Sequence, residues 1–311
     1  MILNSKSIYY DDANLIAQPQ YKVLSRGKIP KELSRIMVSP MASVVGEKFA
    51  LKAYELGLTI CLSRFHPDQL SILKKVKNRF GSTNRCIASV GIGTSEWLRA
   101  SELIKEGFDH ILVDVANGYL SSVVEFANNL LELTPNVIVG NVHSFKGFNL
   151  YDEVGVRVGI GSGTACKTSN VTGYNRGQIT EIMECYQYGN KSNYIIADGG
   201  IKNSGHAAKA FAVGAAYAMM GSYFSLAEEA QNVIDGEYKY WGGASHLQQK
   251  KQFGKIYRHS EGKELELDKN NIKPLEVLVN DLWGGLASAV SYSGHKSLSD
   301  FIGQGVLELK L

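Results

Sequence analysis

Cys166 is the residue with the clearest chemical potential, because it lies in a loop and not in an apolar run. The segment 159–166 reads Gly-Ile-Gly-Ser-Gly-Thr-Ala-Cys, so three glycines and two hydroxyl side chains precede the sulfur. A cysteine thiolate is a strong nucleophile, and nearby backbone N–H groups stabilise the anion. A lone cysteine is more often inert, so a nucleophile and an unreactive loop cysteine are both open at this point.

Glycine accounts for 32 of the 311 residues, and it gathers where predicted strands end. Asp198-Gly199-Gly200 and Gly221-Ser222 follow the seventh and eighth predicted strands. In a barrel of alternating strands and helices this position binds phosphate, because glycine exposes backbone N–H groups to the anion. We infer a phosphorylated ligand, with ordinary turn glycines as the alternative.

Short apolar runs rich in β-branched residues recur about every 20–40 residues, with helical patterns between most of them. Eight such runs predict an α/β protein with a closed (β/α)8 TIM barrel, and an open doubly wound sheet is the alternative. The predicted strands are Arg35–Ser39, Leu58–Leu62, Cys86–Val90, His110–Val115, Asn136–Gly140, Val156–Gly159, Tyr194–Ala197 and Tyr217–Met220. The predicted helices are Glu47–Leu56, Ser121–Leu133, Gln178–Gln187 and Gly205–Val213.

The strand and helix rhythm ends near Gly236, and no Ser/Pro-rich linker divides the chain. We therefore expect one barrel domain over residues 1–311. Within it, residues from about 236 to 311 are expected to form an active-site flap and a C-terminal segment. The spacing of the predicted strands leaves no room for a second folded regulatory domain.

The composition excludes several classes of protein. With 44% hydrophobic residues the chain can bury a core, which a disordered protein cannot. A net charge of +3 does not predict a nucleic-acid partner. No apolar run reaches the roughly 18 residues of a membrane span, and the N-terminus lacks a signal-peptide core. The four cysteines form no CxxC pair, so we expect a cytoplasmic protein in which Cys61, Cys86 and Cys185 are core residues.

Several motifs together resemble the IMP dehydrogenase/GMP reductase family over nearly the whole chain. The resemblance implies a (β/α)8 barrel that binds a purine nucleoside monophosphate and a nicotinamide cofactor. The motifs are SPM (39–41), VRVGIGSGTACKT (156–168), Thr172-Gly173, Gln178, IIADGGIKNSG (195–205) and AKAFAVGAAYAMMGS (208–222).

Two chemistries compete within that family, and most of the distinguishing motifs are similar to the reductase. These motifs are ILVDVANGY (111–119), GTSE (93–96), YRHSEGK (257–263) and LWGGLASAVSYSG (282–294). We find no Arg-Tyr pair of the dehydrogenase type in a long flap before Glu261. MMGS and GSGTAC are closer to the dehydrogenase.

The resemblance thus implies NADPH-dependent reductive deamination of GMP to IMP and ammonia. The alternatives are an IMP dehydrogenase that lacks the regulatory insertion and converts IMP to XMP with NAD, or a divergent purine (deoxy)nucleotide reductase.

The resemblance also implies catalytic roles for Cys166, Thr168 and Glu261. The Cys166 thiolate would attack the purine carbon that carries the amino group, and ammonia would leave to give a thioimidate. Hydride would then reduce this covalent intermediate. Ammonia needs a proton to leave, and Thr168 and Glu261 match the family positions for that relay. Without the resemblance, Glu261 would be an ordinary solvated carboxylate.

Further residues match ligand-binding positions of the family. Asp198 matches the aspartate that accepts hydrogen bonds from both ribose hydroxyls. The carbonyls of Gly161, Gly163 and Cys166 resemble a potassium-binding loop, and the family suggests a homotetramer. The other positions matching the nucleotide site are Thr164, Gly199, Gly200, Gly221, Ser222, Gly243, Ala244, Arg258 and Gly262. The positions matching the cofactor site are Arg64 with Asp114 as its expected partner, Gly93, Thr94, Ser95, Ala116, Asn117 and Gly118.

The sequence departs from the family pattern mainly around the predicted base pocket. Gly242-Gly243-Ala244 replaces Gly-Met-Ser there. A family aspartate is replaced by His206, which we expect at the periphery of the site and not as a new ligand. These changes affect the choice of purine more than the Cys166 chemistry. Two other classes stay open: a catalytically silent nucleotide-binding homologue, against which the retained catalytic residues argue, and a flavin-dependent barrel enzyme, in which nothing would require the cysteine.

Overall fold

The computed structural model of the chain describes residues 6–19, 25–256 and 259–310. Eight parallel strands close into a barrel, in which each strand pairs with the next along the chain and the last pairs with the first. This confirms the predicted (β/α)8 TIM barrel. After β1 (Ala13–Leu15), which lies outside the barrel, the barrel strands are β2 (Ile36–Val38), β3 (Thr59–Leu62), β4 (Cys86–Val90), β5 (Ile111–Asp114), β6 (Val137–Val142), β7 (Gly155–Val158), β8 (Tyr194–Asp198) and β9 (Tyr217–Met220).

Helices cover the outside of the barrel and bury their apolar faces against it. The predicted bounds of all eight strands and four helices are correct to within two residues. The helices are α1 (Glu47–Glu55), α2 (Gln69–Phe80), α3 (Thr94–Lys105), α4 (Ser121–Leu131), α5 (Phe145–Phe148), α6 (Thr168–Thr172), α7 (Gln178–Tyr188), α8 (Ser204–Ala212), α9 (His246–Phe253), α10 (Leu275–Tyr292) and α11 (Leu298–Phe301).

The interior of the barrel is a packed apolar layer, as is usual for this fold. The side chains of this layer are Met37, Cys61, Ile87, Leu112, Ile138, Ile196 and Met219.

The three cysteines expected in the core, Cys61, Cys86 and Cys185, are buried. Burial raises the pKa of the Cys86 thiol to about 12. None of these three thiols is available as a nucleophile at neutral pH.

A small antiparallel sheet follows the barrel and covers its carboxyl end. It consists of β10 (Val233–Ile234), β11 (Glu237–Trp241) and β12 (Glu264–Glu266). We call residues 233–266 the flap. Helix α10 then packs against α8 and α1, so it occupies the position of the eighth barrel helix.

The last strand, β13 (Leu307–Leu309), pairs antiparallel with β1. In the described part of the chain, no helix is long and apolar enough to cross a membrane.

Candidate active site

Cys166 lies at the carboxyl end of the barrel, in the loop that joins β7 to α6. Its thiol donates to the Oγ1 of Thr168 at 3.2 Å. That hydroxyl in turn donates to the Oε2 of Glu261 at 2.7 Å, and the backbone N–H of Thr168 donates to the sulfur at 3.4 Å. The three residues predicted as catalytic therefore form one hydrogen-bonded chain from thiol to carboxylate.

The flap brings Glu261 to Cys166 by pairing its backbone with the cysteine loop. The N–H of Lys167 donates to the carbonyl of Glu261 at 2.6 Å. The N–H of Lys263 donates to the carbonyl of Ala165 at 2.7 Å. These two bonds fix the position of the carboxylate, because they hold its own residue in an extended backbone next to the loop.

Gly262 stands opposite Cys166 in this pairing and is buried. A Cβ at position 262 would lie 2.6 Å from the backbone nitrogen of Ser245 and 3.0 Å from the carbonyl carbon of Ala244. Gly242, which directly follows β11 in the flap, would place a Cβ 2.8 Å from the Ala165 carbonyl oxygen. Close backbone approach between flap and loop therefore depends on these glycines.

The residues predicted to bind phosphate meet beside the cysteine loop. The hydroxyls of Thr164 and Ser222 lie 3.2 Å apart. A Cβ on Gly199 would lie 3.2 Å from the backbone nitrogen of Gly163, so the two glycine loops touch. Gly199 and Gly200 have φ values of 89° and 74°, which side chains rarely adopt. The arrangement offers hydroxyls and bare backbone to one small region, as an anion site requires.

Gly221 lies on the side of the site that faces the flap. A Cβ at this position would lie 2.7 Å from the Tyr240 hydroxyl and 2.9 Å from the Met41 sulfur. Gly243 and Ala244 are exposed, and a Cβ on Gly243 would lie 3.3 Å from the ring of Phe65. Phe65 thus borders the predicted base pocket, a contact that the motifs do not indicate. Arg258 falls outside the described residues.

Asp198 and Asp114 end two barrel strands and share a single arginine. Arg157 on β7 donates from Nε and Nη2 to Asp198 Oδ2, at 3.2 and 2.8 Å. It also donates from Nη1 to Asp114 Oδ1 at 2.5 Å. Asn141 adds a third bond to Asp198 Oδ2 at 2.8 Å. The expected pairing of Asp114 with Arg64 is therefore wrong, since the carboxylate is held by an arginine from inside the barrel.

Arg64 lies instead against Gly91 and the ring of Phe65. Its guanidinium carbon is 4.3 Å from the ring centroid, and its Nη1 would lie 2.7 Å from a Cβ on Gly91. Its buried Nε has no hydrogen-bond partner among the described residues.

The remaining predicted cofactor residues border the same end of the barrel. Gly93, Thr94 and Ser95 are exposed where α3 begins, and Glu96 in the same motif accepts from the Gly91 N–H at 2.7 Å. Gly118 is buried against the Asn141 carbonyl. Ala116 and Asn117 are exposed.

The predicted potassium loop is also a contiguous turn. Gly161 has φ 78°, and the carbonyl of Gly163 accepts from the Cys166 N–H at 2.9 Å. The described residues contain no group of three or more His, Cys, Asp or Glu side chains that could hold a metal ion. Any cation in this loop would rely on carbonyl oxygens.

Three residues near the site were not selected from the sequence. Arg157 and Asn141 hold Asp198, and His206 is buried between the Gly200 carbonyl at 3.0 Å and Asp11 at 2.9 Å. The available signal for Arg157 was a charged residue inside an apolar strand pattern. For His206 it was the departure from the family motif, which sequence reasoning placed at the periphery.

Comparisons with known proteins agree with this geometry. The family described as "IMP dehydrogenase / GMP reductase domain" matches residues 24–308. The chain belongs to the IMP dehydrogenase/GMP reductase family. The match covers the whole barrel and the flap, so membership applies to the fold and to the cysteine loop together.

Several members with assigned names are similar to the chain. It is 31% identical to the GMP reductase of Lactobacillus gasseri, covering 93% of this chain and 91% of that protein. It is 32% identical to the GMP reductase of Clostridium acetobutylicum, with 85% and 82% covered. The GMP reductase of Caenorhabditis elegans is 32% identical, with 70% and 64% covered. The chain is therefore a member of this family of enzymes, and it is similar to members that are named GMP reductase.

Proposed function

We propose that the protein is a GMP reductase, which converts GMP to IMP and ammonia with NADPH. The observation that carries this proposal is the hydrogen-bonded chain from the Cys166 thiol through Thr168 to Glu261. It supplies a nucleophile and a proton relay in one place, and reductive deamination needs both. The names of the similar proteins support the same reaction.

The relay activates the nucleophile. The thiol proton moves to Thr168 Oγ1 as the hydroxyl proton moves to Glu261, which leaves a thiolate and a protonated carboxyl group. The Thr168 N–H, 3.4 Å from the sulfur, stabilises that thiolate.

The thiolate then adds to the purine carbon that carries the amino group. The relay returns a proton to the amino nitrogen, the carbon–nitrogen bond breaks, and ammonia leaves. The product of this step is a thioimidate on Cys166. Ammonia leaves only as the protonated amine, so the reaction stops here if Glu261 cannot hold and return a proton.

A nicotinamide cofactor, when bound, supplies the hydride that this chemistry requires. Addition of hydride to the same carbon breaks the carbon–sulfur bond, frees IMP and restores the thiolate. In sum, GMP, NADPH and two protons give IMP, NADP⁺ and an ammonium ion. Arg64, which packs against Phe65 and Gly91, lies on the cofactor side in this proposal.

Two groups of residues hold the nucleotide in this proposal. Thr164, Gly199, Gly200 and Ser222 bind the phosphate. Asp198 accepts from the ribose through Oδ1, since Oδ2 is already held by protein donors. The purine lies between the cysteine loop and the flap, bounded by the other predicted substrate residues, Gly221, Gly243, Ala244, Arg258 and Gly262.

The remaining expectations also belong to this proposal. Gly93, Thr94, Ser95, Asp114 and residues 116–118 border the cofactor. Carbonyls of the cysteine loop bind potassium, and the enzyme works as a cytoplasmic homotetramer with residues 1–311 as one barrel domain.

A paired assay tests the proposed function. The protein is incubated with GMP and NADPH, and separately with IMP and NAD, while absorbance of the reduced nicotinamide is followed. Loss of absorbance in the first mixture alone is the expected result. A gain in the second mixture alone would replace the proposal with an IMP dehydrogenase. No change in either would leave only a nucleotide-binding homologue.

A further inference from the structure

Arg157 is placed by the barrel register so that its side chain reaches across two strands. Asp114 on β5 pairs with Gly140 on β6, and Gly140 pairs with Arg157 on β7. Residues paired in this way point to the same face of the sheet, here the interior of the barrel. Gly140 therefore lies between Asp114 and Arg157 on this face.

Gly140 opens the path that the guanidinium takes. A Cβ at this position would lie 2.7 Å from the Cβ of Arg157, closer than such atoms approach. Its φ of 144° also disfavours a side chain. With no side chain in the way, Arg157 crosses to Asp114 while its Nε and Nη2 stay on Asp198.

The three side chains form a nearly buried group with one positive and two negative charges. The side chain of Arg157 is 8% exposed, that of Asp198 13% and that of Asp114 21%. Burial alone would lower the pKa of Arg157, but Asp198 and Asp114 outweigh it and raise that pKa. The guanidinium is thus held permanently charged between two carboxylates.

Each carboxylate has one oxygen held by the protein and one that remains available. Asp198 uses Oδ2 and Asp114 uses Oδ1, and the described residues give the other oxygen of each no partner. In the proposed function, the available Asp198 oxygen binds the nucleotide and the available Asp114 oxygen binds the cofactor. A ligand that pulls on one carboxylate displaces the shared guanidinium, and with it the other carboxylate.

We propose that Arg157 is a positioning residue that couples nucleotide binding at Asp198 to cofactor binding at Asp114. The inference rests on the proposed function for the identity of the two ligands. Its physical basis is the rigid, planar guanidinium, which bonds both carboxylates at once. A lysine ammonium is a point charge on a flexible chain and does not span both in this geometry.

The test is the affinity for GMP, measured by calorimetry with and without saturating NADP⁺, which binds without turnover. In the wild type we expect the cofactor to tighten GMP binding about fivefold or more. In Arg157→Lys the factor is expected to fall below about twofold. Arg157→Lys with an unchanged factor, or a wild type without coupling, would overturn the inference.

Two further variants keep the test decisive. Arg85→Lys is the matched control, because Arg85 bonds the carbonyls of Tyr54 and Leu58 before β4 begins, at the opposite end of the barrel. It should keep the wild-type coupling factor. If Arg157→Lys does not fold, Asp114→Asn is measured with GMP alone, and a severalfold change in GMP affinity is expected although Asp114 lies on the cofactor side. An unchanged affinity overturns the inference.

The outcomes separate this inference from the proposed function. Wild-type protein that binds GMP and NADP⁺ with coupling, but does not oxidise NADPH with GMP, contradicts the reaction and supports the role of Arg157. Protein that binds neither ligand overturns both.

Discussion

The Thr168 hydroxyl donates a 2.7 Å hydrogen bond to Glu261, although 93 residues separate the two in sequence. Thr168 begins α6, directly after the cysteine loop, whereas Glu261 belongs to the flap. The bond therefore exists only while the flap is paired with the loop. The proposed proton relay therefore depends on the pairing between the flap and the cysteine loop.

Glu261→Gln tests the relay. Glutamine keeps the shape of the side chain and accepts the Thr168 bond, but it cannot take and return a proton. We expect kcat to fall by at least about 10²-fold, with little change in the affinity for GMP. The rate of NADPH oxidation measures kcat. Glu266→Gln, an exposed change on the same flap, is the control and should keep the wild-type rate. Equal rates for both variants would contradict the relay.

Cys166→Ala tests the covalent step. Removal of the sulfur leaves no nucleophile in the site, since the other three cysteines are buried. Turnover should fall by about 10³-fold or more, while GMP still binds, as calorimetry would record. Cys185→Ala, a buried change on α7, should keep kcat. Residual turnover near the wild-type rate in Cys166→Ala would refute the thioimidate mechanism.

Gly262→Ala tests the pairing between the flap and the cysteine loop. The added Cβ would lie 2.6 Å from the Ser245 nitrogen, so the segment that carries Glu261 must move away from the cysteine loop. We expect a lower kcat and a melting temperature close to that of the wild type. Gly284→Ala on α10 is the control, because a Cβ there meets nothing within 4 Å. It should raise stability by up to about 1 kcal/mol without changing kcat. A fully active Gly262→Ala would contradict this account of the flap.

Glu181 gives the protein a pH dependence. It is fully buried on α7, and both its carboxylate oxygens lack a hydrogen-bond partner in the described part of the chain. Burial raises the pKa of Glu181 well above its ordinary value, and Glu184 adds to this while Arg176 opposes it. Arg176 itself pairs with Glu184. A buried carboxyl group without its own cation holds its proton to a higher pH than an exposed one does.

The sign of the effect follows from proton linkage. The folded state keeps the Glu181 proton above the pH at which the unfolded chain loses it, so stability falls as pH rises through that window. Glu181→Gln should remove this part of the fall. The free energy of unfolding, measured by urea titration from about pH 5 to 9, would show a smaller decline than in the wild type. Glu125→Gln, an exposed change on α4, is the control, and its free energy of unfolding should decline with pH as that of the wild type does. Identical curves for Glu181→Gln and the wild type would contradict the prediction.

Much of the barrel could be predicted because its strands are short apolar runs at regular spacing. The run at Cys86–Val90 was predicted with its observed bounds. Helix α2 was not predicted, since its sequence QLSILKKVKNRF has only a few apolar residues among many charges. Its buried positions, such as Ile72 and Val76, follow the helical period but are too few to stand out.

The site could be predicted only as far as its motifs extend. The glycines and Cys166 mark the loops, and those loops do meet at one end of the barrel. The partner of Asp114 could not be predicted from the sequence. That partner is Arg157, whose side chain reaches Asp114 from two strands away by passing over Gly140. The burial of His206 depends likewise on the N-terminal segment, through Asp11. Contacts of this kind appear only when the strand register is known.

The destination of the hydride tests the central claim most directly. GMP is incubated with NADPH that carries deuterium at the transferable position, and the product is analysed by mass spectrometry and NMR. We expect IMP with one deuterium on the carbon that carried the amino group, and one ammonia released for each NADPH oxidised. Ammonia released with a product that lacks deuterium at that carbon, or no consumption of GMP at all, would contradict the account.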